Sequence, residues 1–358
     1  MKSCEHALSR RDFLKTTACG VVGGLVALNF PRAARPAPSS AELTRAALVK
    51  GDSRADNIFK ALKLIESDIK KGLARKKRVV IKPNFVGVDR QLCATHADTV
   101  EAILEFLRPY VKDEILIAES PGGAPAMEGF DNYGYLRLPK KYNVKLVDLD
   151  DEPFTVLHAV DDKFYPEPIR CASLLLDRDV YVISPAVMKT HDRAVVTLSL
   201  KNIVVGAALK DKGFRWGGRG KNDKPIVHGG RGDAGIHFNL FTLSQKLRPD
   251  LAIVDGFEGM EGNGPMGGTP VDHRIAVAST DWVAADRIAA ELMGFDFTKI
   301  GYIWFAAQAG FGEGDLSKIE ILGEKVQDNI RKYRPHDRVQ FQYKWKEGPQ
   351  LTWPSTSG

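Results

Sequence analysis

The sequence predicts an α/β fold with a mainly parallel sheet flanked by helices, and three observations lead to it. Short β-branched runs alternate with amphipathic stretches between residues 54 and 322, the pattern of strands joined by crossover helices. Several of those runs are apolar throughout, as strands covered on both faces require. Polar, ionisable residues follow the runs directly, where an open parallel sheet carries its ligand site. The architecture expected is Rossmann-like and three-layered. One segment, 153–175, is broken by Pro153, Pro166 and Pro168 and reads as a small antiparallel excursion.

The elements follow in order. Residues 54–72 read as a helix, with Ile58, Leu62, Ile65 and Ile69 on one face. Residues 78–81 form a buried strand that ends at Lys82-Pro83-Asn84, where Pro83 limits further pairing. Thr95 caps a helix whose apolar face is Val100, Ile103, Leu104 and Leu107. Strands at 114–118 and 145–149 enclose a helix within 126–142. Residues 179–184 return to the buried-strand pattern and run into Met188-Lys189-Thr190-His191, and 194–209 suit a helix.

Residues 211–235, rich in glycine and charge, read as a long functional loop, a lid that carries His228. A helix with Ile236, Leu240, Leu243 and Leu247 and a strand at 251–254 follow. A second glycine-rich loop spans 256–268, then a strand at 274–278, helices at 281–292 and 300–309, and a last strand at 319–322. The body is thus one α/β domain over 42–325. An aromatic tail over 326–358, with Tyr333, Phe341, Tyr343, Trp345 and Trp353, must dock or expose an apolar patch.

The chain has 358 residues, 44% hydrophobic and 27% charged, with a formal charge of +6. That charge suggests a polyanion partner until it is located. Residues 1–41 hold six basic residues against two acidic ones, so they carry +4 of it. They also have the parts of an export signal: a basic start, an apolar stretch over 16–30 and a small-residue region ending at Ser39-Ser40-Ala41. The stretch is too short and too glycine-rich to span a membrane. Ser9-Arg10-Arg11-Asp12-Phe13-Leu14-Lys15 resembles the twin-arginine signal. The expectation is a segment recognised by the twin-arginine translocase and removed, leaving a periplasmic protein without a membrane span. The small remaining charge, without interleaved aromatics, argues against nucleic acid.

Five ordered motifs carry a family resemblance. They are Ile81-Lys82-Pro83-Asn84, Ala118-Glu119-Ser120-Pro121, Met188-Lys189-Thr190-His191, Leu198-Ser199-Leu200-Lys201-Asn202, and Val254-Asp255-Gly256 through Gly259-Met260-Glu261-Gly262-Asn263-Gly264-Pro265. Together they resemble the domain of unknown function family 362 over about residues 50–325. Some members of that family carry ferredoxin-like cysteine clusters. Here the four cysteines stand at 4, 19, 93 and 171, too far apart for the closely spaced thiolates of an iron–sulfur cluster, so none is expected on them. Cys93 and Cys171, the two left after signal removal, either pair or stay as buried thiols.

The motifs gather cations and a few acids at strand ends. Lys82, Lys189 and Lys201, with Asn84, Ser120, Thr190 and Asn202, form a candidate site for a small carboxylate or phosphate. Gly122-Gly123 allows backbone N–H groups to approach an anion. Thr197 and Lys201, four apart, share a face if their segment is helical. His96, His191 and Glu119 are the candidate proton-transfer groups, His96 kept neutral by the start of its helix and His191 oriented by Asp192. His96, His191, His228, Asp255 and Glu261 form a candidate divalent-metal set, although no short ligand spacing such as HExxH is present. The leading expectation is an exported enzyme acting on a small anion. The alternatives are a non-catalytic metal- or anion-binding protein and an accessory of a redox complex.

Overall fold

A computed structural model describes residues 43–347 except 164 and 230–232. The twin-arginine segment, Cys4, Cys19 and Trp353 lie outside the described residues. The described residues form one compact unit.

The strands are β1 (Thr44–Lys50), β2 (Arg78–Ile81), β3 (Ile115–Glu119), β4 (Val144–Asp148), β5 (Phe154–Val160), β6 (Pro166–Ala172), β7 (Val180–His191), β8 (Val195–Thr197), β9 (Leu251–Glu261), β10 (Thr269–Ser279) and β11 (Ile319–Gly323). The main sheet runs β11-β1-β10-β9-β7-β2-β3-β4, with β8 paired to β7. From β4 to β9 the pairing is parallel, whereas β10 is antiparallel to both β9 and β1. β5 and β6 make the separate antiparallel pair expected for 153–175. The two buried thiols, Cys93 and Cys171, are free.

Helices α1 (Arg54–Leu64), α2 (Glu66–Leu73), α3 (Ala97–Leu107) and α4 (Ala126–Asn132) cover one face of the sheet, and Ile58, Ile69, Val100, Ile103 and Phe130 pack there. Helices α5 (Ser199–Ala207), α6 (Lys224–Val227), α7 (Asp233–Ser244), α8 (Trp282–Leu292) and α9 (Gly301–Gln308) cover the other, with Ile203, Leu240, Val283 and Ile303 in its core. The sheet therefore separates two apolar cores, which gives the three layers.

The structure adds one strand and corrects several sequence expectations: the helix expected over 54–72 breaks at Ile65, and His96 rather than Thr95 is the cap of α3. β1 is an added strand: two alanines in Thr44–Lys50 weaken the strand signal, but Ala46 to Val49 are buried between β10 and β11. Residues 194–209 are not one helix, because β8 occupies 195–197 before α5 begins. The loop expected over 211–235 holds α6 and the start of α7. The second glycine-rich segment is mostly the β9–β10 hairpin, in register from Thr269 opposite Glu261. Its glycines serve close packing: a Cβ on Gly256 would lie 2.8 Å from the Ile275 side chain, and one on Gly259 2.2 Å from the Tyr333 hydroxyl.

The tail is docked up to residue 347. Tyr333 is buried and donates to the Met188 sulfur, while Trp345 donates to the Lys299 carbonyl and packs against Phe305.

Candidate functional site

β2 pairs with β3 on one side and with β7 on the other. The chain moves from β2 outward to β3 and β4, then returns to the far side of β2, so the strand order reverses between β2 and β7. Connections leave in opposite directions at such a point and a crevice opens beyond the carboxyl ends of the strands. A cavity of about 580 Å³ lies here, walled by Lys82, Glu119, His191, Lys201, Trp216 and His228 among others.

Its floor is a closed polar network. Lys82 follows β2, and its ammonium donates to both oxygens of Glu119 at 2.9 and 3.0 Å, to Asn202 Oδ1 at 3.0 Å and to the Pro83 carbonyl at 3.0 Å. Glu119 also accepts from the N–H groups of Phe85 and Ser120. Asn202 returns a hydrogen bond from Nδ2 to the Lys82 carbonyl and another to Ser184 Oγ. Burial lowers the Lys82 pKa and the Glu119 carboxylate opposes that shift. With three protons and at least three acceptors, Lys82 has no donor left for a ligand.

α5 carries Lys201 and Asn202 and is held at both ends by buried charges from elsewhere. At its start Asp286 of α8 accepts from the Ser199 and Leu200 N–H groups and the Ser199 hydroxyl. At its end Lys224 donates to the carbonyls of Val205, Gly206 and Ala208. Each satisfies groups that a helix end leaves unpaired, and each charge matches its end of the helix dipole. Gly206 is required: a Cβ there would lie 2.0 Å from Lys82 Cε.

Two histidines face the cavity in complementary states. His191 Nδ1 accepts from the N–H groups of Arg193 and Ala194 at 3.0 and 3.1 Å. Asp192 lies 3.1 Å from the same nitrogen, but the two backbone donors fix Nδ1 as the acceptor. The proton of the neutral ring is then on Nε2. His228 Nδ1 lies 2.9 Å from the Lys224 carbonyl, which can only accept, so this ring carries its proton on Nδ1 and its lone pair on Nε2. The rings stack with centroids 5.8 Å apart and an interplanar angle of 18°. Burial first, and the charge of Lys201 second, lower both, His228 to about 3.

Lys201 lines the same cavity at 6% exposure. Among the described residues its ammonium has no hydrogen-bond acceptor, and burial lowers it to about 8 against the pull of Asp192. The Thr197 hydroxyl, also in the cavity wall, is buried without a partner. Thr197 lies in β8 rather than on a helical face with Lys201.

Other expected residues fall elsewhere or are already engaged. Lys189 does not line the cavity; its ammonium is taken by Asn84 Oδ1 and the Cys93 carbonyl. Thr190 donates to the Gly262 carbonyl. Asn84 and Ser120 reach the cavity wall, with Ser120 Oγ donating to Asp150. His96 caps α3, accepting from the Asp98 N–H, and burial lowers its pKa, but it is not in the cavity wall.

Asp255 pairs with Arg54 at 3.2 Å, and Glu261 accepts from the Arg334 N–H. The five expected metal ligands therefore do not converge, and among the described residues no group of three or more His, Cys, Asp or Glu side chains is placed to hold a metal. His228 Nε2 could serve a metal as a ligand, whereas His191 Nε2 carries a proton.

Gly122-Gly123 seats an aromatic ring instead of an anion. A Cβ on Gly123 would lie 2.1 Å from the Trp216 indole, and the Gly122 N–H is taken by the Val86 carbonyl. The flap carrying Trp216 is pinned at its base by Arg170, which pairs with Asp211 at 2.7 Å and with Asp223 at 3.0 Å. The sequence reading missed Asp286, Lys224 and Trp216. The signal available for Trp216 was a lone indole in a glycine-rich charged loop.

The model of the family described as Domain of unknown function (DUF362) matches residues 79–291. A thylakoid-associated protein of Synechocystis sp. is 26% identical over 221 residues, 61% of this chain and 64% of that protein. Two solved structures are similar at a TM-score of 0.41. The lactate racemase apoprotein of Thermoanaerobacterium thermosaccharolyticum is 15% identical, with 70% of this chain and 56% of that one covered. A Thermotoga maritima protein is 16% identical, with 68% and 60% covered. The chain thus spans under two thirds of the length of each of these relatives.

Proposed function

The chain belongs to the Domain of unknown function (DUF362) family, and we propose for it an enzyme that binds a small anionic substrate beside Lys201 and removes a proton from it with His228. The observation that carries this reading is the opposed protonation of two stacked rings next to an ammonium that lacks an acceptor. His228 Nε2 offers a lone pair, as a general base must. His191 Nε2–H and the Lys201 ammonium are donors aimed at the same space, suited to the negative charge that deprotonation creates.

Binding and basicity are coupled in this arrangement. Burial first, and then the charge of Lys201, lower His228. An anion seated against Lys201 offsets that charge, so the base strengthens when substrate is present. Glu119, committed to Lys82, buttresses the floor and is not the proton carrier. The unpartnered Thr197 hydroxyl is a further contact for the ligand.

The test is proton NMR in D₂O with a panel of small carboxylates and phosphates first ranked by thermal shift. We expect at least one stabilising compound to exchange a proton for deuterium in a protein-dependent way, with exchange lost in His228→Gln and stabilisation lost in Lys201→Ala. Stabilisation without exchange of any compound identifies a binding protein instead. A Lys201→Ala variant with unchanged thermal shifts refutes the site.

We also infer export by the twin-arginine route to the periplasm, from Ser9 to Lys15 and the apolar stretch after it. N-terminal sequencing of the exported protein should find a start near Ala41, and Arg10→Lys with Arg11→Lys should retain the precursor in the cytoplasm.

A further inference from the structure

Five lysines are buried in or behind this cavity, and four are engaged, Lys210 by Asp150 and Ser120. Lys82 is held by Glu119 and Asn202, Lys189 by Asn84 and the Cys93 carbonyl, and Lys224 by the carbonyls that end α5. Such acceptors occupy the hydrogens of an amine and point them away from a ligand. Lys201 differs from the other four: it is buried at 6% exposure, it faces the cavity, and no described acceptor claims its nitrogen.

We infer that Lys201 is a nucleophile that condenses with the carbonyl carbon of a small aldehyde or ketone carrying an acid group. The inference rests on the reading of the cavity as an anion site and names its substrate class. An amine in a dry pocket among other cations is the recognised setting for imine formation. Burial holds Lys201 at about 8, so an appreciable fraction is the free amine near neutral pH.

The bonds balance without an added oxidant or reductant. The neutral amine nitrogen bonds to the carbonyl carbon and a proton passes from nitrogen to oxygen, giving a carbinolamine. The carbon–oxygen bond then breaks, the oxygen leaves as water after taking a second proton from solvent, and a protonated imine remains. That imine keeps the positive charge at the Lys201 position, so pairing with the acid group survives the condensation. It also draws electrons from the adjacent carbon, whose proton is the one His228 Nε2 is placed to accept. His191 Nε2–H offers a hydrogen bond to the carbonyl oxygen and keeps its proton.

The experiment uses the full mature protein with pyruvate as the probe and sodium cyanoborohydride as the trap, read by intact mass and peptide mapping. Acetate, which has the acid group without the ketone, is the binding control in thermal shift. We expect one reduced pyruvate per chain, located on Lys201, and none in Lys201→Arg, which retains the charge and therefore the stabilisation by acetate. Lys201→Met, of similar length and without charge, should lose both. If pyruvate and acetate stabilise the wild type but no adduct forms, or the adduct spreads over surface lysines equally in Lys201→Arg, the imine inference fails and the anion site stands. If neither pyruvate nor any carboxylate or phosphate stabilises the wild type, both fail together.

Discussion

The ammonium of Lys82 and the carboxylate of Glu119 form a two-point ion pair, at 2.9 and 3.0 Å, with each side chain 1% exposed. Breaking a buried pair from one side leaves a desolvated charge alone, which costs about 3–5 kcal/mol. Lys82→Met and Glu119→Leu should each lower stability by that order in urea denaturation, and the double variant should recover much of it. Lys201 should behave in the opposite way. Removing a buried cation that lacks an acceptor relieves a penalty, so Lys201→Met should be as stable as wild type or more so. Equal losses at Lys82 and Lys201 would contradict the division of labour between them.

The buried lysines also set how stability varies with pH. Burial lowers Lys189 and Lys224 to about 7 and Lys201 to about 8, while an unfolded lysine titrates near pH 10.4. Between pH 7 and 8.5 the unfolded chain therefore binds more protons than the folded one, and stability rises with pH. Asp286, raised to about 7 by burial, and the buried thiols of Cys93 and Cys171, also raised by burial, work against this, but Asp286 acts at the lower end of the window and the thiols only toward its upper end. Denaturation midpoints should increase from pH 7 to 8.5, by about 1–2 kcal/mol for each lysine that sheds its proton in the folded state. A flat or falling profile in that window would show that these amines stay charged when buried.

Much of this fold was legible because it is written in local patterns. The buried strands β2, β3 and the first half of β7 are nearly continuous apolar runs, and the rule that ligands gather beyond their carboxyl ends pointed to Lys82, Glu119 and His191, which line the cavity. That rule names strand ends but not which way each side chain turns. Lys189, expected just past the strand at 179–184, lies within the longer β7, and it points to Asn84 and Cys93 rather than to the cavity. The roles of Asp286 and Lys224 depend on long-range packing against α5 that leaves no local signature. Glycines misled twice for one reason: Gly256 and Gly259 were read as loop and Gly123 as anion-accessible, whereas each is small because another side chain rests on it.

Trp216 closes one side of the cavity from a flap whose indole rests on Gly123. Trp216 is 53% exposed, so its loss removes little buried area. Trp216→Ala should change stability by less than about 1 kcal/mol and weaken any ligand found by thermal shift several-fold. Gly123→Ala should reproduce that weakening, because its Cβ would meet the ring. An unchanged ligand affinity in both variants would remove the flap from the binding site.

Gln342, far along the chain in the segment first read as a tail, fixes the histidine end of the cavity. Its Oε1 accepts from the Val195 N–H at 2.7 Å and its Nε2 donates to the His191 carbonyl at 3.0 Å, so one buried amide clasps both ends of the β7–β8 turn. Val195 needs that support, because its φ of 66° places a β-branched residue in the left-handed region, where such residues carry strain. Gln342→Ala leaves a buried N–H and a buried carbonyl without partners and should cost about 1–3 kcal/mol. Its distinguishing effect is on His191, since the Arg193 and Ala194 N–H groups that hold Nδ1 belong to the same turn. Nitrogen NMR of labelled histidine should show one fixed His191 tautomer, protonated at Nε2, in the wild type and an averaged signal in Gln342→Ala, while His228 keeps its state. Gln342→Glu, which retains the acceptor for Val195 but loses the donor to His191, should fall between the two. A fixed His191 signal in all three proteins would mean that the turn holds the ring without help from the C-terminal segment.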